Sequence, residues 1–189
     1  MLLDYPKIYV NDQLIGHGGN QDWFIDPWAQ KAGCASVSAT DIYIYYNKDT
    51  RKFDQSVYLE YMTKMFKIMT PGKRGFPYVY IYGRRLSKLL DNCSFTIMRR
   101  PHVKEACNLI TASIDQGNPL GLLILKHRRR AVRDDLWHWV TIVGYEPGKK
   151  GLDIYFLDCG ELKKLPARIL FEKSWFNVVK MISFAYCKK

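Results

Sequence analysis

The 189 residues, 48% hydrophobic and 14% aromatic, can bury one sizeable core, so a single domain over residues 1–189 is expected rather than several. A formal net charge of +11, from 29 Lys and Arg against 18 Asp and Glu, raises nucleic acid or an acidic partner as ligands; the charge is scattered and lacks an aromatic-interleaved basic motif, which weighs against nucleic acid. No segment approaches the roughly 20 apolar residues that span a bilayer, and the first residues lack the pattern of a secretory signal, so a cytoplasmic chain with no membrane partner is expected.

Along the chain, the glycines of "IGHGGNQDWF" (15–24) and the "DPW" break (26–28) read as loop. Gly-His-Gly-Gly neither follows a convincing strand nor opens a helix at the spacing of a dinucleotide fingerprint, and no cofactor is expected. "CASVSATDIYIYYN" (34–47) reads as a buried helix starting at or just before Cys34 and stopping at Asn47, with a strand over "DIYIYY" as the alternative. "DQSVYLEYMTKMFKIMTPGKRG" (54–75) is an amphipathic helix with an Asp cap and a stop at Pro71-Gly72.

"SKLLDN" (87–92) reads as a short helix, "SFTIMRR" (94–100) as a strand, and "PHVKEACNLITASIDQGN" (101–118) as a helix with Pro in its first turn. Four strand-like runs follow: "PLGLLILKH", "WHWVTIVGYE", "LDIYFLDCG" and "VVKMISFAYC". Helices first and then an antiparallel sheet argue for α+β, with a helical part over about 20–118 and a sheet part over about 119–187. The basic stretch "KHRRRAVRDD" (126–135) reads as a solvated hairpin loop, with phosphate or acidic-partner binding through Arg128 to Arg133 as the sharper option.

Five cysteines without a Cys-x-x-Cys or His-x-x-x-His pairing argue against zinc or a redox dithiol and for a reducing compartment. Cys34 stands apart. A helix N-terminus stabilises a thiolate, and its unpaired backbone N–H groups can hold an oxyanion. His138 opens a strand of the sheet beside that helix and is the candidate base. Asp158, at the end of the next strand of the hairpin, could fix the ring's tautomer. His17 reads as exposed, His102 and His127 as structural or solvated, Cys93, Cys107 and Cys187 as buried thiols or a frayed end, and Cys159 as packing or a regulatory thiol. The aromatic set Trp23, Phe24, Trp28, Trp137 and Trp139 reads as core or as the wall of a substrate groove.

"GC" before a small-residue helix, then "HWVTIVGY", then "IYFLDCG" resembles the papain-like cysteine peptidases, closest to the bacterial branch of bacteriocin-leader (double-glycine) peptidases. The resemblance covers about 20–160. It implies a papain-like α+β fold and a thiol hydrolase acting on a peptide or isopeptide, with Cys34 as nucleophile, His138 as base and Asp158 as its orienting group. Two positions depart from the family pattern: Ala35 stands where Gly usually follows the Cys, and Trp28 stands where the oxyanion Gln is usual. Gln21 is the candidate for that role, with Gln30 and Asn20 as alternatives. A catalytically inactive papain-like module that binds a peptide or an acidic partner is the competing expectation.

Overall fold

The centre of the molecule is a helix that has no polar face. The computed structural model describes residues 1–132, 136–149 and 151–185; expectations placed on Arg133 and Cys187 lie outside the described residues. Helix α2 (Cys34–Asn47) buries every residue from Cys34 to Ile42, so the strand alternative for its second half falls. A helix apolar on all sides must be enclosed on all sides. Its small residues, Ala35, Ser36, Ser38 and Ala39, let neighbouring elements approach closely, and two of its hydroxyls find partners: Thr40 Oγ1 donates to Ser36 O at 2.8 Å and Thr141 Oγ1 donates to Ser38 Oγ at 2.9 Å.

Around α2 the chain builds β1 (Lys7–Val10), β2 (Gln13–His17), α1 (Pro27–Ala32), β3 (Lys52–Asp54), α3 (Gln55–Met69), α4 (Val79–Leu89), β4 (Ser94–Arg99), α5 (Val103–Asp115), β5 (Leu120–Lys126), β6 (His138–Gly148), β7 (Gly151–Asp158), β8 (Glu161–Pro166), α6 (Ala167–Leu170) and β9 (Val178–Ala185). Six strands form one antiparallel sheet in the order β4-β9-β5-β6-β7-β8, and three short strands form a second in the order β2-β1-β3. The class is α+β.

Strand alternation gives the large sheet two apolar faces, because side chains along each strand point to opposite sides. Leu120, Leu122, Ile124, Val140 and Ile142 pack with Ala106, Ile110 and Ile114 of α5. Leu123, Trp139, Ile182 and Phe184 pack on the other side with α2 and α4. Helices therefore cover both faces, and β4 joins the sheet from within the stretch expected to be helical. Tyr82 stacks on Trp139 with ring centroids 4.0 Å apart and planes 9° apart.

Several local readings change. Residues 15–17 and 27–28, read as loop, belong to the strand β2 and the helix α1; Asp26 caps the helix by accepting from Trp28 N at 3.0 Å, and Pro27 sits in its first turn. The helix expected over 87–92 instead runs from Val79 to Leu89, since Val79, Tyr82, Gly83 and Leu86 fall on one buried face despite the strand-like "VYIY" at its start. β8, "ELKKLP", is an edge strand rich in charge, and such strands lack the alternation that marks buried ones. Cys93, Cys107 and Cys159 are half-buried rather than buried, and His17 is half-buried with its Nδ1 3.1 Å from Tyr5 Oη.

Gly33 links α1 to α2 where no side chain fits. A Cβ built there would lie 2.4 Å from Ala29 O and 2.6 Å from a Phe24 ring carbon, while φ is an ordinary −83°. Gly33→Ala is expected to destabilise the fold by about 1–3 kcal/mol through overpacking alone. Thermal unfolding followed by circular dichroism checks this, and an unchanged midpoint would show that the α1–α2 junction yields freely.

Candidate active site

Cys34, His138 and Asp158 come together. Cys34 is the first residue of α2, with Gly33 at the N-cap position; its Sγ lies 4.0 Å from the carbonyl oxygen of Trp137, the residue before His138, and it lines one narrow cleft with the His138 side chain. His138 is the first residue of β6, and its Nε2 lies 2.7 Å from Asp158 Oδ1 at the end of β7. The hairpin register explains the meeting: Thr141 pairs with Leu157, and continuing the ladder brings the start of β6 beside the end of β7.

A tight turn completes Asp158's setting. Cys159 and Gly160 both have positive φ, 46° and 81°, between Asp158 and its cross-strand partner Glu161, as a two-residue hairpin turn requires. The turn places Lys163 diagonally opposite Asp158, where its ammonium pairs with Oδ2. Nothing in the sequence reading pointed to Lys163; only the pairing of β7 with β8 brings it there. Cys159 Sγ lies 3.7 Å from His138 Nε2.

The electrostatics follow from this geometry. Burial works to depress the His138 pKa, but hydrogen bonds with Asp158, Cys159 and Cys34, and the negative charge on Cys34, outweigh it and hold the ring well above its ordinary value. Burial likewise works to raise Asp158; the hydrogen bonds and charges of His138 and Lys163 outweigh it and hold the carboxyl well below the usual carboxylate range. The pair is therefore imidazolium and carboxylate near neutral pH. Cys159, by contrast, has its thiol pushed up by burial, against the pull of His138.

Of the three candidates for the oxyanion donor, Gln21 is the one that lines the cleft. Gln30 Nε2 donates to Phe24 O at 2.6 Å and to Asp22 O at 3.3 Å, so its amide is spent on local structure, while Asn20 Oδ1 accepts from Asp22 N at 2.9 Å in the cap of the turn that follows. Gln21 lines the same narrow cleft as Cys34 and His138, and its buried Oε1 has no hydrogen-bond partner. Polar groups are rarely left so. The loop carrying Gln21 is fixed from three sides: His17 N donates to Gly160 O at 2.8 Å, Gly18 N to Pro6 O at 2.8 Å, and Gly19 N to Asp41 Oδ1 at 2.9 Å. Residues 21–23 form a single 3-10 turn, and α1 then fills the interval to Cys34, which is why the glutamine lies far upstream.

Asp41, about two turns into α2, is the second residue that sequence reading missed. Its carboxyl is fully buried and also accepts from Tyr58 Oη at 2.6 Å. The remaining histidines stand apart from the site: Glu105 accepts from His102 N at 2.8 Å in a capping contact at the start of α5, and His127 is buried and accepts from Arg129 N at 3.2 Å.

Among the described residues, His138 Nε2, Asp158 and Cys159 Sγ are the group whose ligand atoms, within 4.8 Å of one another, could hold a metal ion. The direct His138–Asp158 hydrogen bond and the Lys163 ammonium on the same carboxylate fit a hydrogen-bonded pair better than a cation cage. No protein-family model matches the chain, and no curated protein matches it. No helix among the described residues is long and apolar enough to cross a membrane.

Burial pushes the Asp41 carboxyl up to about 7, against hydrogen bonds from Tyr58, Gly19 and Thr141 that favour the charged form. A carboxyl raised on folding contributes stability that is full below its unfolded value of about 3.9 and is lost as pH rises through about 7. Asp41→Asn keeps an acceptor oxygen and removes the ionisation. The stability of the variant relative to the parent is expected to increase between pH 5 and pH 8. Melting temperatures at the two pH values check this; a constant difference would mean that Asp41 does not titrate in that window.

Proposed function

We propose that the chain is a papain-like cysteine hydrolase that cleaves a peptide or isopeptide amide. The observation that carries the reading is the joint placement of Cys34, Gln21 and the Asp158-bonded His138 about one cleft at the N-terminus of α2. The papain-like order of elements, a buried helix bearing the cysteine against a sheet bearing the histidine, supports the same reading.

The steps follow from the atoms present. The Cys34 thiolate attacks the carbonyl carbon, and the oxygen takes the negative charge. The Cys34 backbone N–H, in the first turn of α2, and the Gln21 amide donate to that oxygen. The His138 imidazolium gives its proton to the leaving nitrogen as the C–N bond breaks, leaving a thioester on Cys34. His138 then takes a proton from water, which attacks the thioester and releases the acid and the thiolate. Asp158 stays ionised throughout and holds the ring, while Lys163 holds Asp158.

Three measurements test the reading. Iodoacetamide at pH 6 is expected to modify Cys34 much faster than Cys93 or Cys107, whose thiols burial pushes up, with mass spectrometry locating the label. Asp158→Asn weakens the support for the imidazolium, so the Cys34 alkylation profile is expected to move to higher pH; an unmoved profile would reduce the triad to a dyad. Once a peptide substrate is in hand, Gln21→Ala is expected to lower kcat by about 10²–10³ with a smaller change in KM. Equal reactivity of the three thiols at pH 6 would reject the hydrolase and favour a binding module on the same fold.

A further inference from the structure

A second groove, which Gln21 does not line, also reaches Cys34. It has a volume of about 360 Å³, and its lining includes Trp28, Lys31, Lys73, Arg74 and Trp137 as well as Cys34. The two indoles are 40% and 53% exposed, large apolar surfaces left in water beside a nucleophile. None of the three cations forms an ion pair among the described residues. The groove thus combines apolar walls with uncompensated positive charge.

The cations are also held in place. Lys73 and Arg74 occupy the tip of a turn closed by two hydrogen bonds, Gly72 N to Gly75 O at 3.1 Å and Gly75 N to Gly72 O at 2.8 Å, with Gly75 at φ 69°. Upstream of the turn, Arg85 donates to Met69 O and to Thr70 Oγ1 at 2.6 Å. Downstream, Trp139 Nε1 donates to Phe76 O at 2.7 Å from within the core. Trp139 follows His138 on β6, so the basic turn is bonded to the strand that carries the base. Trp137, just before His138, adopts φ 59°, a conformation rare for a bulky residue, and its carbonyl lies 4.0 Å from Cys34 Sγ while its indole faces the groove. A merely solvated charged loop needs neither the bracing nor the strain.

We propose that this groove is the subsite for an acidic residue of the peptide substrate, with the Trp28 and Trp137 faces taking its apolar atoms and Lys31, Lys73 and Arg74 its carboxylate. The proposal rests on the hydrolase reading for the word substrate, and on charge complementarity for the acidic side chain. Attraction of this kind is screened over about 8 Å at physiological salt, so only a ligand seated in the groove feels it fully.

The test separates the subsite from the chemistry. Alkylation of Cys34 by iodoacetate, an anion, and by neutral iodoacetamide gives a rate ratio that is independent of substrate identity. In the Lys73→Glu/Arg74→Glu double variant, with both positions exposed, that ratio is expected to fall by about tenfold relative to the parent. An unchanged ratio overturns the proposal. In parallel, Cys34→Ala protein is titrated by tryptophan fluorescence with two peptides that differ only in Glu against Lys at one position. Tighter binding of the Glu peptide, lost in the double variant and weakened by salt, supports the subsite; equal affinity overturns it. Glu peptides that bind but are not cleaved by the parent support the groove and reject the hydrolase.

Discussion

Burial of α2 on all sides from Cys34 to Ile42 is the constraint from which the architecture follows. A helix so enclosed needs walls, and α3, α4, the large sheet and the N-terminal segment supply them. Its polar side chains then need partners from those same neighbours: Ser38 from Thr141 and Tyr82, Asp41 from Tyr58 and Gly19. The helix N-terminus is left at the floor of a cleft, because the enclosing elements arrive there from opposite directions. Cys34 stands at that floor, where unpaired N–H groups and the positive end of the helix favour an anion.

Around the cysteine, tasks divide by element. The sheet supplies the imidazole and its carboxylate, and the edge strand β8 supplies the counter-charge that keeps the carboxylate ionised. The N-terminal hairpin and its following loop supply the amide, docked on the Asp158 turn by His17 and on α2 by Asp41. One buried carboxyl therefore joins the helix that holds the Cys34 thiol to the loop that leads to Gln21. The geometry of the cleft is shared among three parts of the chain that are remote in sequence.

Residue chemistry made Cys34, His138 and Asp158 legible in the sequence, because each sits at the end of an element whose pattern is plain: a small-residue helix and two apolar strands. Gln21 was legible by type and not by spacing, since the interval to Cys34 is filled by a 3-10 turn and a short helix whose apolar content is slight. The N-terminal hairpin, β8 and the start of α4 were not legible. β8 is polar because it is an edge, and "VYIY" favours a strand until the buried spacing of Val79, Tyr82 and Leu86 decides otherwise. Lys163 and Asp41 carry no local signal at all; their roles exist only through cross-strand pairing and burial.

The turn at Cys159 and Gly160 fixes more than a reversal of direction. Because strand side chains alternate, Glu161 and Lys163 share the face of Asp158, whereas Leu162 and Lys164 point the other way. Inserting or deleting one residue in this turn would leave Cys34, His138 and Asp158 intact and still exchange the lysine beside Asp158 for a residue from the opposite face. The candidate site is thus encoded partly as a phase, and a length change of one at this turn changes the surroundings of Asp158.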